Sequence, residues 1–211
     1  LSQQCDVRAT AVQGHGLDGI EFRLHTPAGD TAVRSPLPGR HHVYPALAAA
    51  AVALNQGLSL EEIAAALADA RPALRLTPRP GPNGAIIIDD SYNASPASML
   101  AALDLLSQCP GRRIAVLGNM RELGAASGQG HRAVGRHAAT RCDLLIVVGP
   151  DARLIEEEAR RAGHRNVRFL ASPEDATALL LHELRAGDHV LVKASRAIGL
   201  ESVVSALVTA R

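Results

Sequence analysis

"IIIDDSYNASP", residues 86–96, holds the key to the fold. Three consecutive isoleucines make a continuous apolar run, the pattern of a strand covered on both faces. Two carboxylates, a hydroxyl, a phenol and an amide follow at once. Ser95-Pro96 then sets a capping hydroxyl before a proline at the first helical position. A buried strand that ends in a polar turn and opens a helix is the repeating unit of an α/β sheet, whose ligands bind beyond the carboxyl ends of the strands.

The same rhythm continues downstream. "RIAVLG" (113–118), "DLLIVVG" (143–149), "VRFLA" (167–171) and "HVLVKA" (189–194) read as buried strands. Between and after them, "HRAVGRHAAT" (131–140), "DARLIEEEARRAG" (151–163), "PEDATALLLHELRAG" (173–187) and "GLESVVSALV" (199–208) read as helices. The last places Leu200, Val203, Val204, Leu207 and Val208 on one stripe. Upstream, "LRLTPRP" (74–80) and "AIIIDD" (85–90) flank "GPNG" as a hairpin. The spacing therefore predicts an open, mostly parallel α/β sheet with one antiparallel hairpin strand.

Residues 1–38 have a different texture. "DVRATAVQ", "IEFRLHT" and "TAVRSPL" alternate apolar and polar residues between turn signals, as half-buried antiparallel strands do. An Ala-rich helix, "VYPALAAAAVALNQG", then stops at Gly57, and a second starts at Ser59 with Glu62 completing a capping box. Both end by Arg71-Pro72. The expected organisation is thus one unit over residues 1–73 and a complete sheet domain over 74–211.

Composition removes several function classes. Lys+Arg 22 against Asp+Glu 21 gives no electrostatic reason to expect nucleic acid or an anionic membrane. With two Tyr, two Phe and no Trp there is almost no surface on which bases could stack. The apolar run Ala46–Leu54 is too short to span a bilayer. Cys5, Cys109 and Cys142 are odd in number and widely spaced, which suits a reducing cytoplasm. Metal spacing is absent: His41-His42 are adjacent and point apart, and His131 and His137 do not share a helical face. The sole lysine is Lys193, so no G-x-x-x-x-G-K-[ST] phosphate loop exists in these residues. The chain also starts at Leu1 without Met, directly in strand-like sequence, which suggests part of a longer polypeptide.

The predicted strand ends are "DDSYN" (89–93), "GNMREL" (118–123), "GPD" (149–151) and "KASR" (193–196), which the fold should gather on one rim. Each has a plain alternative: Asp89 and Asp90 as caps, Tyr92 as a half-buried anchor, Asn93 as an Asx-turn residue, Lys193 as a solvated charge. Spacing and chemistry alone reach a ligand-binding α/β domain.

Four stretches together resemble the Mur ligases, the ATP-dependent amide-forming enzymes of peptidoglycan assembly. "LPGRHHVYPALAAAAVAL" (37–54) is similar to that family's G-x-H-N-x-x-N-A-L-A-A helix start. "IDDSYNASPASMLAALDLL" (88–106) resembles its D-D-S-Y-N-A-N-P segment, the most specific motif. "RRIAVLGNMRELG" (112–124), with His131 beyond, and "VLVKASRAIGLESVV" (190–204) resemble its V-L-G-D-M-x-E-L-G…H and K-G-S-R stretches. The resemblance implies the tail of the central ATPase domain over 1–73 and the Mur ligase C-terminal domain over 74–211.

It further implies a monomeric cytoplasmic ligase that adds D-alanyl-D-alanine to UDP-N-acetylmuramoyl-tripeptide through an acyl phosphate. ATP is then the cofactor, with Mg2+ held by ligands outside this chain. By matching position, Arg75, Asp90 and His42 are the candidates for ATP. Lys193 and Ser195 are the catalytic candidates, and Tyr92, Asn93, Asn119, Glu122 and Arg196 those for substrate. The chain departs from the family at several positions. His42 and Pro45 replace two asparagines, Leu74 and Ala194 replace glycines, and Asn119 stands for an aspartate. Those departures keep open a non-catalytic homologue that retains the domain as a binding or interaction module. A sister amide ligase of the superfamily is a lesser alternative, which "DDSYNASP" disfavours.

Overall fold

A computed structural model describes residues 5–71 and 76–210. The chain divides into two compact units, Leu1–Pro72 and Ala73–Arg211.

In the first unit, β1 (Arg8–Gly14), β2 (Ile20–Thr26) and β3 (Gly29–Ser35) form an antiparallel sheet in that order. Alternation puts Ile20, Phe22 and Leu24 of β2 inward, where they meet Val43, Ala46 and Ala50 of α1 (Val43–Asn55) and Ile63 and Leu67 of α2 (Leu60–Ala68). The capping box expected at Ser59 is present. The Ser59 hydroxyl accepts from the Glu62 amide at 3.2 Å, and Glu62 takes the Ser59 amide at 2.8 Å.

The second unit is a six-stranded sheet in the order β4-β5-β9-β6-β7-β8. β4 (Thr77–Pro80) runs antiparallel to β5 (Ile86–Asp89), the expected hairpin. The other neighbours are parallel: β5 with β9 (His189–Lys193), β9 with β6 (Arg113–Gly118), β6 with β7 (Leu144–Val148), and β7 with β8 (Val167–Leu170). The mostly parallel sheet anticipated from the sequence is therefore observed. Proline in β4 is compatible with its edge position.

One sheet face, formed by residues such as Ile87, Val190, Val192, Ile114 and Ile146, packs on α6 (Pro173–Glu183) and α7 (Glu201–Thr209). The α7 stripe of Val203, Val204 and Leu207 seats there as its spacing requires. The alternate residues, including Ile88, Leu191, Leu117 and Val147, are equally buried on the opposite face. There α3 (Pro96–Leu106) meets β9 and β6, α5 (Arg153–Arg161) meets β7 and β8, and α4 (Ser127–Ala138) packs between those two helices. Gly135 permits the close approach of α4 to α5, since a Cβ there would lie 2.4 Å from the Ile155 carbonyl oxygen. Ser95 and Ser172 cap α3 and α6, each followed by proline, as the sequence indicated. Among the described residues no helix is long and apolar enough to cross a membrane.

Candidate functional site

Parallel pairing of β5, β9 and β6 brings their carboxyl ends to one edge. Two backbone bonds stitch the rim: the Asp90 amide donates to the Val192 carbonyl at 3.0 Å, and the Ser195 amide to the Asn119 carbonyl at 3.0 Å. Asp90, Asn119 and Ser195 therefore lie together, as the strand-end reading requires.

The turn after β5 is held internally. Asp89 caps it, its Oδ1 accepting from the Ser91 hydroxyl at 2.7 Å and the Ser91 amide at 3.2 Å, and Arg79 lies 3.8 Å from its Oδ2. Asp90 turns inward instead. Its Oδ2 sits 2.6 Å from Lys193 Nζ, and Lys193 also donates to the Asn93 carbonyl at 2.8 Å. Lys193 is 2% exposed and Asp90 5%, so the reading of Lys193 as a solvated charge is corrected. The last residue of β9 points into the α3 side of the sheet, where an ammonium is tolerable only with such partners.

The segment after β6 bends sharply. Glu122 adopts a left-handed φ of 64°, unusual for a side-chain-bearing residue and found where surroundings over-determine the backbone. Three groups do so here. The Met120 amide donates to Nε2 of His131 at 3.0 Å, and the Arg121 amide to the Ser195 hydroxyl at 2.8 Å. Asn119, 1% exposed, turns toward the loop after β7. Its Oδ1 accepts from the Ala152 amide at 2.8 Å and its Nδ2 donates to Asp151 at 3.2 Å. Gly149 makes room for that amide, for a Cβ there would stand 2.7 Å from Asn119 Oδ1.

Between the two turns lies an open crevice of about 310 Å³. Tyr92 and Asn93 line it from the first turn, Arg121 and Glu122 from the second, and Ser195, Arg196 and Ala197 from the segment after β9. The Arg196 guanidinium carbon rests 5.6 Å from the Tyr92 ring centroid, within cation–π range. Five sequence candidates, Tyr92, Asn93, Glu122, Ser195 and Arg196, are thus brought together. Asp90, Asn119 and Lys193 stand behind the crevice as its supports. His42 belongs to the first unit, where its Nδ1 lies 2.6 Å from the Pro38 carbonyl oxygen. Arg75 lies outside the described residues. Sequence reasoning missed two contributors. Arg121 was visible inside "GNMREL" but had no motif of its own, and His131 stood in the "GNMRELG…H" resemblance without a role assigned to it.

Two guanidinium groups, one carboxylate, a phenol and a hydroxyl make this crevice complementary to a small zwitterion. Arginine offers a planar fork for a carboxylate, and Glu122 a partner for an ammonium. Among the described residues no three His, Cys, Asp or Glu side chains converge as a metal-holding group.

Comparison with known proteins places this geometry in context. The family described as "Mur ligase, glutamate ligase domain" matches residues 74–196. UDP-N-acetylmuramoyl-tripeptide--D-alanyl-D-alanine ligase of Escherichia coli K12 is 40% identical over 196 residues, covering 90% of this chain and 42% of the relative. Among solved structures, MurF from Acinetobacter baumannii superposes with a TM-score of 0.86 at 33% identity, over 99% of this chain and 46% of that one. MurF from Thermotoga maritima in complex with ADP shares the fold, with a TM-score of 0.82 at 24% identity over 99% and 47% of the two chains. The chain spans less than half the length of these relatives.

Proposed function

The chain belongs to the Mur ligase family, and from that premise we propose that it is the carboxyl-terminal portion of an ATP-dependent ligase. That ligase joins D-alanyl-D-alanine to UDP-N-acetylmuramoyl-tripeptide. Residues 74–211 are its C-terminal domain and residues 1–73 the end of its central ATPase domain. It works as a cytoplasmic monomer in peptidoglycan synthesis. The observation that carries the reading is the crevice between the "DDSYN" and "NMRE" turns, whose charges match a dipeptide zwitterion.

In this reading Arg121 and Arg196 hold the dipeptide carboxylate, and Glu122 receives its ammonium until the amine is deprotonated for attack. Tyr92 and Asn93 flank the peptide, and Ser195 keeps Arg121 in place through its backbone. Asp90, fixed by Lys193, is the candidate acceptor for the nucleotide's ribose, and His42 and Arg75 are nucleotide candidates by matching position alone. ATP, when bound, supplies the phosphoryl group that activates the tripeptide carboxylate. The sole lysine is buried in the pair with Asp90, so the main phosphate cradle and the Mg2+ ligands belong to sequence beyond these residues. Presenting the amine to the activated carboxyl in a dry, oriented site is the part this domain performs.

The test is phosphate release by the complete protein with ATP, magnesium and both amide-forming substrates. Release that requires both substrates bears the reading out, and release indifferent to the dipeptide overturns it. The substitutions His42 and Pro45 favour one second reading, a homologue that keeps the crevice without nucleotide turnover. Dipeptide binding with no phosphate release would select it.

A further inference from the structure

His131 lies behind the crevice with its ring fully engaged. It is 0% exposed, on α4, and both ring nitrogens have partners. The Met120 amide donates to Nε2 at 3.0 Å, so Nε2 carries a lone pair and no proton. The neutral ring's proton then sits on Nδ1, 2.8 Å from the Ser127 carbonyl oxygen, which accepts it. With both nitrogens committed, the ring has no site left for moving a proton to or from a substrate. What it can do is hold the Met120 amide in a fixed direction.

That direction matters because the next two residues are Arg121 and Glu122. Arg121 is anchored on its other side by the Ser195 hydroxyl, and Glu122 sits at a φ of 64° that its own side chain disfavours. Releasing the Met120 amide would let the bend relax and swing both charged side chains away from Tyr92 and Arg196. A histidine kept only for packing would not need an acceptor aimed into a strained backbone turn.

We propose that His131, as its Nδ1-protonated neutral tautomer, is the positioning residue that holds the Met120–Glu122 bend and so aims Arg121 and Glu122 into the crevice. The consequence for the amine donor rests on the ligase reading above; the tautomer and the bend do not.

The first arm of the test uses the 211-residue chain labelled with 15N. The imidazole signals of His131 should show a protonated Nδ1 and an unprotonated Nε2, and the Met120 amide should be protected from exchange. A protonated Nε2, or an unprotected Met120 amide, overturns the proposal. The second arm compares His131→Leu with His131→Gln in the complete protein. The glutamine side chain can accept from the Met120 amide while donating to Ser127, whereas leucine can do neither. His131→Leu should raise KM for D-alanyl-D-alanine at least tenfold and leave KM for ATP within threefold. His131→Gln should restore the dipeptide KM to within about threefold. Equal loss for both substrates, or no difference between His131→Leu and His131→Gln, overturns positioning. If His131→Leu does not fold, the His131→Gln variant and the tautomer decide. If the unsubstituted complete protein makes no amide bond, the ligase reading fails by itself and the first arm still decides the role of His131.

Discussion

Lys193 and Asp90 meet at 2.6 Å inside the second unit, a charge pair almost closed to solvent at the carboxyl end of two parallel strands. The chain's sole lysine thus ties the turn after β5 to the end of β9, and through the Asn93 carbonyl it reaches the crevice wall. Removing one member of such a pair leaves the other buried without its counter-charge, which costs about 3–5 kcal/mol. Lys193→Met or Asp90→Asn should each lower the unfolding free energy by roughly that amount in urea denaturation. The double substitution should recover part of the loss. A single-variant loss under about 1 kcal/mol would mean that water screens the pair. A cap role alone for Asp90 predicts an almost neutral Asp90→Ala, and its burial beside Lys193 argues for a larger loss.

Thiol chemistry separates the three cysteines. Burial pushes the Cys109 thiol up to about 11 and Cys142 up to about 12, with Asp143 adding to the second. Cys5 is exposed. At pH 8 an aromatic disulfide reagent should titrate one thiol in the native protein and three in denaturant, because the thiolate is the nucleophile. Rapid native reaction of two or more would contradict the burial. The linkage runs toward lower stability at high pH. The unfolded thiols ionise near 9 while the folded ones stay protonated, so stability held below pH 9 falls as pH rises toward 11–12.

The acid limb has the opposite sign. Arg113 holds the Asp143 carboxyl below its usual range through bonds at 3.0 and 2.8 Å, and the Arg113 amide adds a third at 2.8 Å. Some burial works against them. A lowered folded pKa contributes stability above the unfolded value near 3.9, and that stability is lost as pH falls through the folded pKa. The carboxylate is 40% exposed, so the effect belongs to the surface range of about 0.5–1 kcal/mol. Asp143→Asn should cost that much at pH 7 and nothing by about pH 2, measured by thermal unfolding across pH. A difference that persists undiminished in acid would assign the loss to packing.

What could be read from the sequence depended on whether a signal was local. Strand runs such as "IIIDD" and "DLLIVVG", the Ser95 and Ser172 caps and the α7 stripe carry their period within a few residues, and all appear as expected. The rim was also legible, because parallel strands fix which ends gather. Side-chain direction at the rim was not. Asp90 and Lys193 lie about a hundred residues apart in sequence, and only the register of β5 against β9 turns them toward each other. Likewise Asn119 faces the loop after β7 and His131 the bend after β6, through contacts that no spacing encodes. Arg121 escaped notice because an arginine in a loop has no distinguishing neighbours until Ser195 is seen to hold its amide.

The two crevice arginines make the last prediction. Arg121 is exposed at the cavity with its backbone anchored, while Arg196 is partly occupied by the Tyr92 ring at 5.6 Å. A charge-assisted bond to a carboxylate contributes about 1.5–3 kcal/mol, equivalent to roughly 10- to 150-fold in binding. Arg121→Ala in the complete protein should therefore raise KM for D-alanyl-D-alanine by that factor. Tyr92→Leu removes only a cation–π contact of about 0.5–1 kcal/mol and should shift KM two- to fivefold. The discriminating measurement pairs each variant with a donor that lacks the carboxylate, D-alanyl-D-alanine amide. The unsubstituted protein should prefer the acid, and Arg121→Ala should reduce that preference by about the same factor while leaving the amide's own KM nearly unchanged, since one of the two arginine–carboxylate contacts is gone. If Arg121→Ala weakens both donors equally, the guanidinium supports the crevice wall and the carboxylate is received elsewhere.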